Sequence, residues 1–417
     1  MNIFMKTVGL ITEYNPFHNG HFYHIEQAKN ITGADTVIVV MSGNFVQRGL
    51  PAVMSKYART KAALLAGVSI VIELPIRYAA ASAEYFAMGA VSLLEELGCV
   101  DFLCFGSESG DIKQLSELAE LLLTEPLEYQ KYLKEELKKG CSFPLARQRA
   151  LEFYLKDEKI AHLLDKSNNI LAVEYLKALK HLNSAITPVT ILRKESTYHE
   201  TDLQATYSSA SAIRNVLQQD TTDFFDLQAL QTQLPEIVFD YYKQEYQRTY
   251  PVFPEDFSLL MKVRLLAETK ESLLTYADIT PELANRIVNR LNEYTTFIQF
   301  CVLLTTKETT LGRIQRILIH VLLNVRKSDY VNCKNKKFHE YIRVLGFQKN
   351  NSAILSHIHH HTALPMITSP VQSRVLSENA QEMFGQDVFA SDLYESVLSH
   401  KLNTPFVNEY ERAVLRC

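Results

Sequence analysis

Two histidines near the start of the chain, His18 and His21, stand three residues apart in the stretch Glu13-Tyr-Asn-Pro-Phe-His-Asn-Gly-His21. This stretch directly follows an apolar run, Val8–Ile11, that is typical of a buried strand. In an open α/β sheet, ligands bind beyond the carboxyl ends of the strands, and the N-terminus of a following helix binds phosphate. Two imidazoles at that place can stabilise the charge that develops when an α-phosphate is attacked and pyrophosphate leaves. The same pattern also fits a loop whose histidines only cap the helix.

Other nucleotide-binding and metal-binding patterns are missing from the sequence. It contains neither GxxxxGK[ST] nor GxGxxG, which argues against a P-loop and against a dinucleotide-binding fingerprint. Its six cysteines include no CxxC pair, so a zinc ribbon is not expected. We therefore assign no metal-ligating residues.

Alternating apolar runs and amphipathic stretches must position the histidine loop. Further strands are predicted at 36–41, 69–74, 102–105 and 186–192, and helices at 20–30, 56–66, 82–97 and 168–181. Continuously apolar strands separated by helices imply a parallel sheet that is covered on both faces. Residues 224–348 are predicted to be almost wholly helical. The fold class is therefore α/β, with a Rossmann-like parallel-sheet domain over residues 1–220 and a mainly α-helical C-terminal domain over residues 221–417.

Composition excludes some classes of function. The chain has 417 residues, 47% hydrophobic and 22% charged, which is typical of an ordinary globular protein. Its net charge of −4 argues against a wholly polybasic nucleic-acid binder but allows a local basic patch. The N-terminus lacks the pattern of a signal peptide, and no apolar window approaches 18 residues. We expect a cytoplasmic protein without a membrane partner.

A basic patch is indeed predicted over residues 284–343, which contain eleven Lys or Arg and only four Asp or Glu. A basic face on an acidic protein suits the binding of a phosphate backbone, although many charged helix faces are only solvated. The candidate contacts to nucleic acid are Arg286, Arg290, Arg313, Arg316, Lys334, Lys336 and Lys337.

Two motifs and several longer stretches carry a family resemblance. Asn15–His21 matches the HxGH element of the adenylyl- and cytidylyltransferase superfamily, and Ser209–Arg214 resembles its second phosphate-binding element. Residues 6–216 as a whole resemble the bacterial tRNA(Met) cytidine acetate ligase family, and the helical part that follows is similar in length and character. The stretches that carry this resemblance are Gly9–His21, Ser42–Gly49, Val71–Pro75, Phe105–Glu108, Asn168–Ile170 and Glu174–Lys177.

The resemblance implies a nucleotidyltransferase-type ATP domain, a tRNA-binding domain and a two-step reaction. Acetate and ATP first give acetyl-adenylate and pyrophosphate. The acetyl group then passes to N4 of the wobble cytidine in the anticodon loop of elongator tRNA(Met), which forms N4-acetylcytidine. ATP chemistry implies Mg²⁺ as well. The implied partners are tRNA and acetate, with no DNA partner, and the oligomeric state stays open.

The family's functional residues can be placed on this sequence one by one. His18 and His21 would be catalytic, and Arg48 would offer its positive charge to acetate, unless it lies in a solvated basic loop. Ser209, Ser211 and Arg214 would contact phosphates. The nucleotide-binding residues would be Ile11, Thr12, Glu13, Tyr14, Asn15, Pro16, Phe17, His18, Asn19, Gly20, His21, Phe22, Tyr23, His24, Gly106, Asn169, Arg193 and Lys194. Each of three residues also has a simpler explanation: Gly106 could only end a strand, Asn169 could only cap a helix, and Arg193 could be a solvated charge at the edge of the sheet.

Two other functions remain open at this point. A nucleotidyltransferase that makes a dinucleotide-type cofactor from a small phosphate substrate would share the N-terminal motifs, but it leaves the basic helical part unexplained. A non-catalytic RNA-binding protein could keep the fold as a scaffold, although the intact His18, Gly20, His21 and Ser211 count against it. Acetate-dependent ATP–pyrophosphate exchange is expected only for the ligase.

Overall fold

The structure is a computed structural model that describes residues 5–193, 208–218, 224–330 and 338–417. Its strands are β1 (Thr7–Thr12), β2 (Thr36–Ser42), β3 (Phe45–Val46), β4 (Leu50–Pro51), β5 (Ile70–Leu74), β6 (Phe102–Ser107), β7 (Thr187–Leu192), β8 (Ile342–Phe347), β9 (Met366–Ile367) and β10 (Leu415–Arg416). The predicted strands thus correspond to β1, β2, β5, β6 and β7.

The main sheet has the order β10-β8-β5-β2-β1-β6-β7, with β9 paired to β8. All its pairings are parallel except that of β5 with β8. From β1 the chain proceeds to β2 on one side and later to β6 on the other, so the strand order reverses between β1 and β6. This reversal creates the crevice in which ligands of α/β proteins bind. Strands β3 and β4 form a separate antiparallel hairpin.

The helices are α1 (Asn19–Thr32), α2 (Lys56–Leu65), α3 (Ile76–Ala79), α4 (Ala83–Glu96), α5 (Ile112–Thr124), α6 (Leu127–Lys138), α7 (Phe143–Leu155), α8 (Glu158–Ala161), α9 (Ser167–Leu182), α10 (Ala210–Gln218), α11 (Glu236–Glu245), α12 (Ser258–Leu266), α13 (Lys270–Leu273), α14 (Pro281–Arg290), α15 (Phe297–Leu304), α16 (Leu311–Leu323), α17 (Ala353–His361) and α18 (Glu378–Leu402). The helices predicted in the sheet region correspond to α1, α2, α4 and α9. In the described part of the chain, no helix is long and apolar enough to cross a membrane.

Side-chain alternation along the central strands explains why both faces of the sheet are covered. Val37 and Val39 pack into a core with α1 and α2, whereas Ile38 and Val40 pack into a second core with α4 and α9. A third core lies among α12, α14, α15 and α16. The predicted parallel-sheet α/β fold with a helical region after it is therefore confirmed.

The prediction that residues 224–348 are almost wholly helical is wrong for 342–347, which form β8 and pair with β5. Every residue of β8 is buried, including Arg343. Its guanidinium is compensated by Glu409, whose carboxylate lies 3.5 Å away. A run of apolar residues that contains an arginine does not predict a buried strand, because the carboxylate that permits burial of the arginine is distant in sequence. The chain thus returns to the first sheet after its helical region.

Candidate active site

The two predicted histidines begin helix α1 and cap it. His18 is the N-cap residue, and its Nδ1 accepts the N–H of Gly20 at 3.0 Å. The Nδ1 of His21 in turn accepts the N–H of His18 at 3.3 Å, and the two ring centroids lie 3.8 Å apart. Because each Nδ1 is an acceptor, the proton of each neutral ring is on Nε2. Capping and chemistry are therefore compatible, since the cap fixes the tautomer and leaves Nε2–H as a donor group.

Both rings are neutral at physiological pH. Burial lowers the pKa of His18 to about 3, and the charges of Arg193 and Arg214 contribute to the same shift. Burial also lowers the pKa of His21 well below its usual value, with His18 and Arg193 adding to the effect. The helix start therefore presents neutral imidazoles close to two arginines, an environment that favours a bound anion.

Arg214 joins the two phosphate-binding motifs. Its Nη1 donates to the carbonyl of Asn15 at 2.6 Å, and its Nη2 donates to Ser211 Oγ at 3.0 Å. Ser209 lies just before α10, where its Oγ accepts the N–H of Ala212 at 3.1 Å. The structure thus brings together the loop before α1 and the start of α10.

The nucleotide-binding residues predicted near the end of β6 also lie close to one another. Asn169 is buried and its Oδ1 accepts the N–H of Glu108 at 2.9 Å, so it fixes the turn after β6. A Cβ on Gly106 would lie 3.2 Å from Cγ of Arg193, so glycine leaves room for the Arg193 side chain. Arg193 Nη1 donates to Asn168 Oδ1 at 3.4 Å. Lys194 lies outside the described residues.

The loop between β2 and α2 approaches the same site from the other side of β1. The N–H of Gln47 donates to Glu13 Oε1 at 2.8 Å, and the neighbouring Arg48 is exposed. A Cβ on Gly49 would overlap the backbone of Arg316, so the hairpin packs directly on α16. Arg48, predicted to bind acetate, therefore lies between the ATP loop and the helical region.

Arg59 has a structural role that the sequence did not reveal. Its side chain is fully buried and donates to the carbonyls of Glu13 at 2.6 Å, Met54 at 3.0 Å and Ser42 at 3.1 Å, and also to that of Gly43. It thus ties the ends of β1 and β2 together below the site. The sequence shows only an Arg within the helix predicted at 56–66, because the carbonyls it binds come from three separate segments of the chain.

Lys56, the first residue of α2, is a second buried cation in this region. Its Nζ lies 2.9 Å from carboxylate oxygens of Glu73 and of Glu409. Burial opposes its charge, but Glu409 and Glu73 together raise its pKa. The network fastens the segment that contains Glu409 onto β5 and α2.

The predicted tRNA contacts fall into three groups. Arg286 and Arg290 share a face of α14, and their Nη1 groups donate to the carbonyls of Leu304 at 2.8 Å and Leu303 at 3.1 Å. They therefore cap the C-terminus of α15. Arg313 and Arg316 lie in the first two turns of α16, beside the β3–β4 hairpin. The last group lies outside the described residues and comprises Lys334, Lys336 and Lys337.

Comparison with known proteins decides the family. A sequence model of the HIGH Nucleotidyl Transferase family matches residues 5–408. The tRNA(Met) cytidine acetate ligase of Acetivibrio thermocellus is 40% identical over 401 residues, which cover 94% of each chain. The chain belongs to the tRNA(Met) cytidine acetate ligase family. The ligase of Thermoanaerobacter sp. is 42% identical over 393 residues, covering 94% of this chain and 95% of that one.

Solved structures agree with this family assignment. Thermotoga maritima TmcAL in its apo form superposes with a TM-score of 0.91 at 34% identity, covering 99% of both chains. The same protein bound with alpha-thio ATP gives a TM-score of 0.89, also at 34% identity, and covers 99% of this chain and all of that one. The resemblance drawn from the motifs is therefore confirmed for the family and for the fold.

In this ligase-family chain, the arrangement of charges suits phosphate chemistry. Neutral imidazole donors, two arginines and the starts of two helices meet at the switch point of the sheet. In the described residues, no group of three or more His, Cys, Asp or Glu side chains is arranged to hold a metal ion.

Proposed function

We propose that this chain is an ATP-dependent ligase that activates acetate as acetyl-adenylate and acetylates N4 of the wobble cytidine of elongator tRNA(Met). The observation that carries the proposal is the His18–His21 pair, held as neutral Nε2–H donors at the start of α1 beside Arg193 and Arg214. Family membership at about 40% identity over nearly the whole chain supplies the substrate class.

In the first step, a carboxylate oxygen of acetate attacks the α-phosphorus of ATP and pyrophosphate leaves. His18 and His21 would donate hydrogen bonds to the phosphate oxygens as negative charge builds up on them. Arg214, which already links both phosphate-binding motifs, would add its charge there. ATP would enter as its magnesium complex, in which Mg²⁺ neutralises the departing pyrophosphate.

The adenosine end of ATP would lie against the end of β6, where Gly106, Asn169 and Arg193 are placed. Arg48 would hold acetate through its positive charge. It lies next to the ATP loop, because the N–H of the preceding residue, Gln47, donates a hydrogen bond to Glu13 of that loop. Since the same hairpin packs on α16, the predicted tRNA surface around Arg313 and Arg316 would continue directly into the acetate site. The wobble base is unpaired in the anticodon loop, so it could enter without melting a stem.

The deciding experiment incubates the purified protein with ATP, Mg²⁺, labelled acetate and bacterial tRNA, followed by nucleoside analysis. Label in N4-acetylcytidine is the expected result, and His21→Ala serves as the inactive control. ATP cleavage without transfer of label would refute the acetyl reaction and favour a plain nucleotidyltransferase. Acetate-dependent ATP–pyrophosphate exchange, measured in parallel, tests the first step by itself.

A further inference from the structure

Glu13 is a carboxylate inside a loop that is expected to bind a triphosphate. A negative side chain there repels phosphate oxygens, so its presence calls for a different partner. The reaction steps assigned above to the histidines and arginines make no use of it. Glu13 is predicted to belong to the nucleotide-binding loop, but no step of the reaction has been assigned to its carboxylate.

The placement of Glu13 indicates which substrate it meets. Its carboxylate lies on the β2 side of β1, because its Oε1 accepts the N–H of Gln47 from the loop that follows β2. Gly106 and Arg193 lie on the opposite side, at the ends of β6 and β7. A nucleotide whose adenosine lies against β6 extends its phosphate toward β2. The acceptor of the acetyl group must then approach from the side of Glu13.

One oxygen of this carboxylate is open to a ligand. Within the described parts of the chain, Oε1 accepts the Gln47 N–H and no hydrogen bond reaches Oε2. The side chain is half-buried, and burial raises its pKa. The Gln47 N–H and the guanidiniums of Arg214, Arg59 and Arg48 oppose that rise. Glu13 is thus a hydrogen-bond acceptor that is fixed in position and flanked by cations.

We propose that Oε2 of Glu13 accepts a hydrogen bond from the exocyclic N4 amine of the target cytosine and takes its proton during acetyl transfer. A carboxylate matches the N4 donor of cytosine, whereas the O4 acceptor of uracil would be repelled. N4 attacks the carbonyl carbon of acetyl-adenylate, and the N–C bond forms. The C–O bond to phosphate breaks, its electron pair leaves with AMP, and the amine proton passes to Glu13. This inference rests on the proposed function.

Glu13→Gln tests the recognition part without changing the shape of the side chain. The Gln47 N–H still requires an acceptor, so the amide oxygen stays at the Oε1 position and the NH₂ group takes the place of Oε2. The variant then presents an N–H donor to the base. This donor cannot bond to the N4 amine of cytosine, which is itself a donor, but it can donate to the O4 acceptor of uracil. The preference between the two bases should therefore reverse, which a merely structural role of Glu13 would not produce.

The measurement compares Kd values of two tRNA(Met) transcripts, with cytidine or uridine at the wobble position, in the presence of α,β-methylene ATP. Wild-type protein should bind the cytidine transcript roughly tenfold more tightly, and Glu13→Gln should favour the uridine transcript. Glu26→Gln is the matched control, because Glu26 is an exposed residue of α1. It should keep the wild-type preference.

Single-turnover transfer from pre-made acetyl-adenylate tests the proton step separately. Glu13→Gln should slow this transfer by about 10²–10³-fold, and Glu13→Asp should restore part of the rate because it restores a carboxylate. Wild-type transfer and wild-type base preference in Glu13→Gln would overturn the inference and leave the proposed function standing. If wild-type protein itself forms no N4-acetylcytidine, the proposed function fails instead.

Discussion

The neutrality of His18 makes the stability of the protein depend on pH in a predictable way. The folded pKa of about 3 compares with 6.5 for an unperturbed histidine, and the side chain is only 7% exposed. As the pH falls below 6.5, the unfolded chain binds a proton at this residue and the folded chain does not, so acid favours unfolding. Between pH 8 and pH 5, this single group should lower the free energy of unfolding by about 2 kcal/mol.

His18→Asn isolates that contribution, because asparagine is also a good N-cap residue but does not titrate. Urea unfolding of wild-type and variant protein should be measured at pH 8 and at pH 5. The stability of the variant relative to wild type should rise by about 2 kcal/mol at the lower pH. An equal loss of stability in both proteins would refute the reasoning. It would mean that the folded state protonates His18 at pH 5 as readily as the unfolded chain does, so that burial does not lower its pKa as described above.

Three further predictions concern catalysis, RNA binding and the hairpin. His21→Ala should reduce acetate-dependent ATP–pyrophosphate exchange by at least about 10²-fold while tRNA binding is kept, and loss of both would indicate misfolding. Lys336→Glu with Lys337→Glu should weaken tRNA binding and flatten its salt dependence with exchange unaffected; an unchanged salt slope would place the RNA surface elsewhere. Gly49→Ala should lower the free energy of unfolding by about 1–3 kcal/mol, because φ is 69° and a Cβ overlaps the backbone of α16. Gly385→Ala is its control, since a Cβ there meets nothing within 4 Å, and an equal loss in both would contradict the steric argument.

The parts of the fold that could be predicted are those whose signal is local. The apolar runs of β1 and β2, and the helix that follows the histidine loop, appear within a few residues of their predicted bounds. Strand β8 was missed because the burial of Arg343 depends on Glu409, which is 66 residues away. The burial of Lys56 could not be predicted for the same reason, because one of the two carboxylates that compensate its charge belongs to the distant Glu409.

For the site, the sequence predicted the positions of the two histidines but not their protonation state. His18 and His21 are neutral because tertiary packing buries them and places Arg193 and Arg214 nearby. Neither arginine is close to them in sequence. The assignments of Arg48 to acetate and of Lys334 to tRNA remain predictions, as does the division of the chain at residue 220.

The return of the chain to its first sheet has a consequence for biosynthesis. Strand β5 borders β2 on one side and β8 on the other, so its second edge stays unpaired until residues 342–347 have left the ribosome. The part of this edge that later pairs with β8, Ile70–Ile72, is apolar, and an open apolar strand edge invites pairing with other chains. The nascent protein therefore carries an incomplete sheet throughout the synthesis of its helical region. A truncated translation product that ends before β8 is consequently expected to aggregate, and to need chaperones in a way that the finished chain does not.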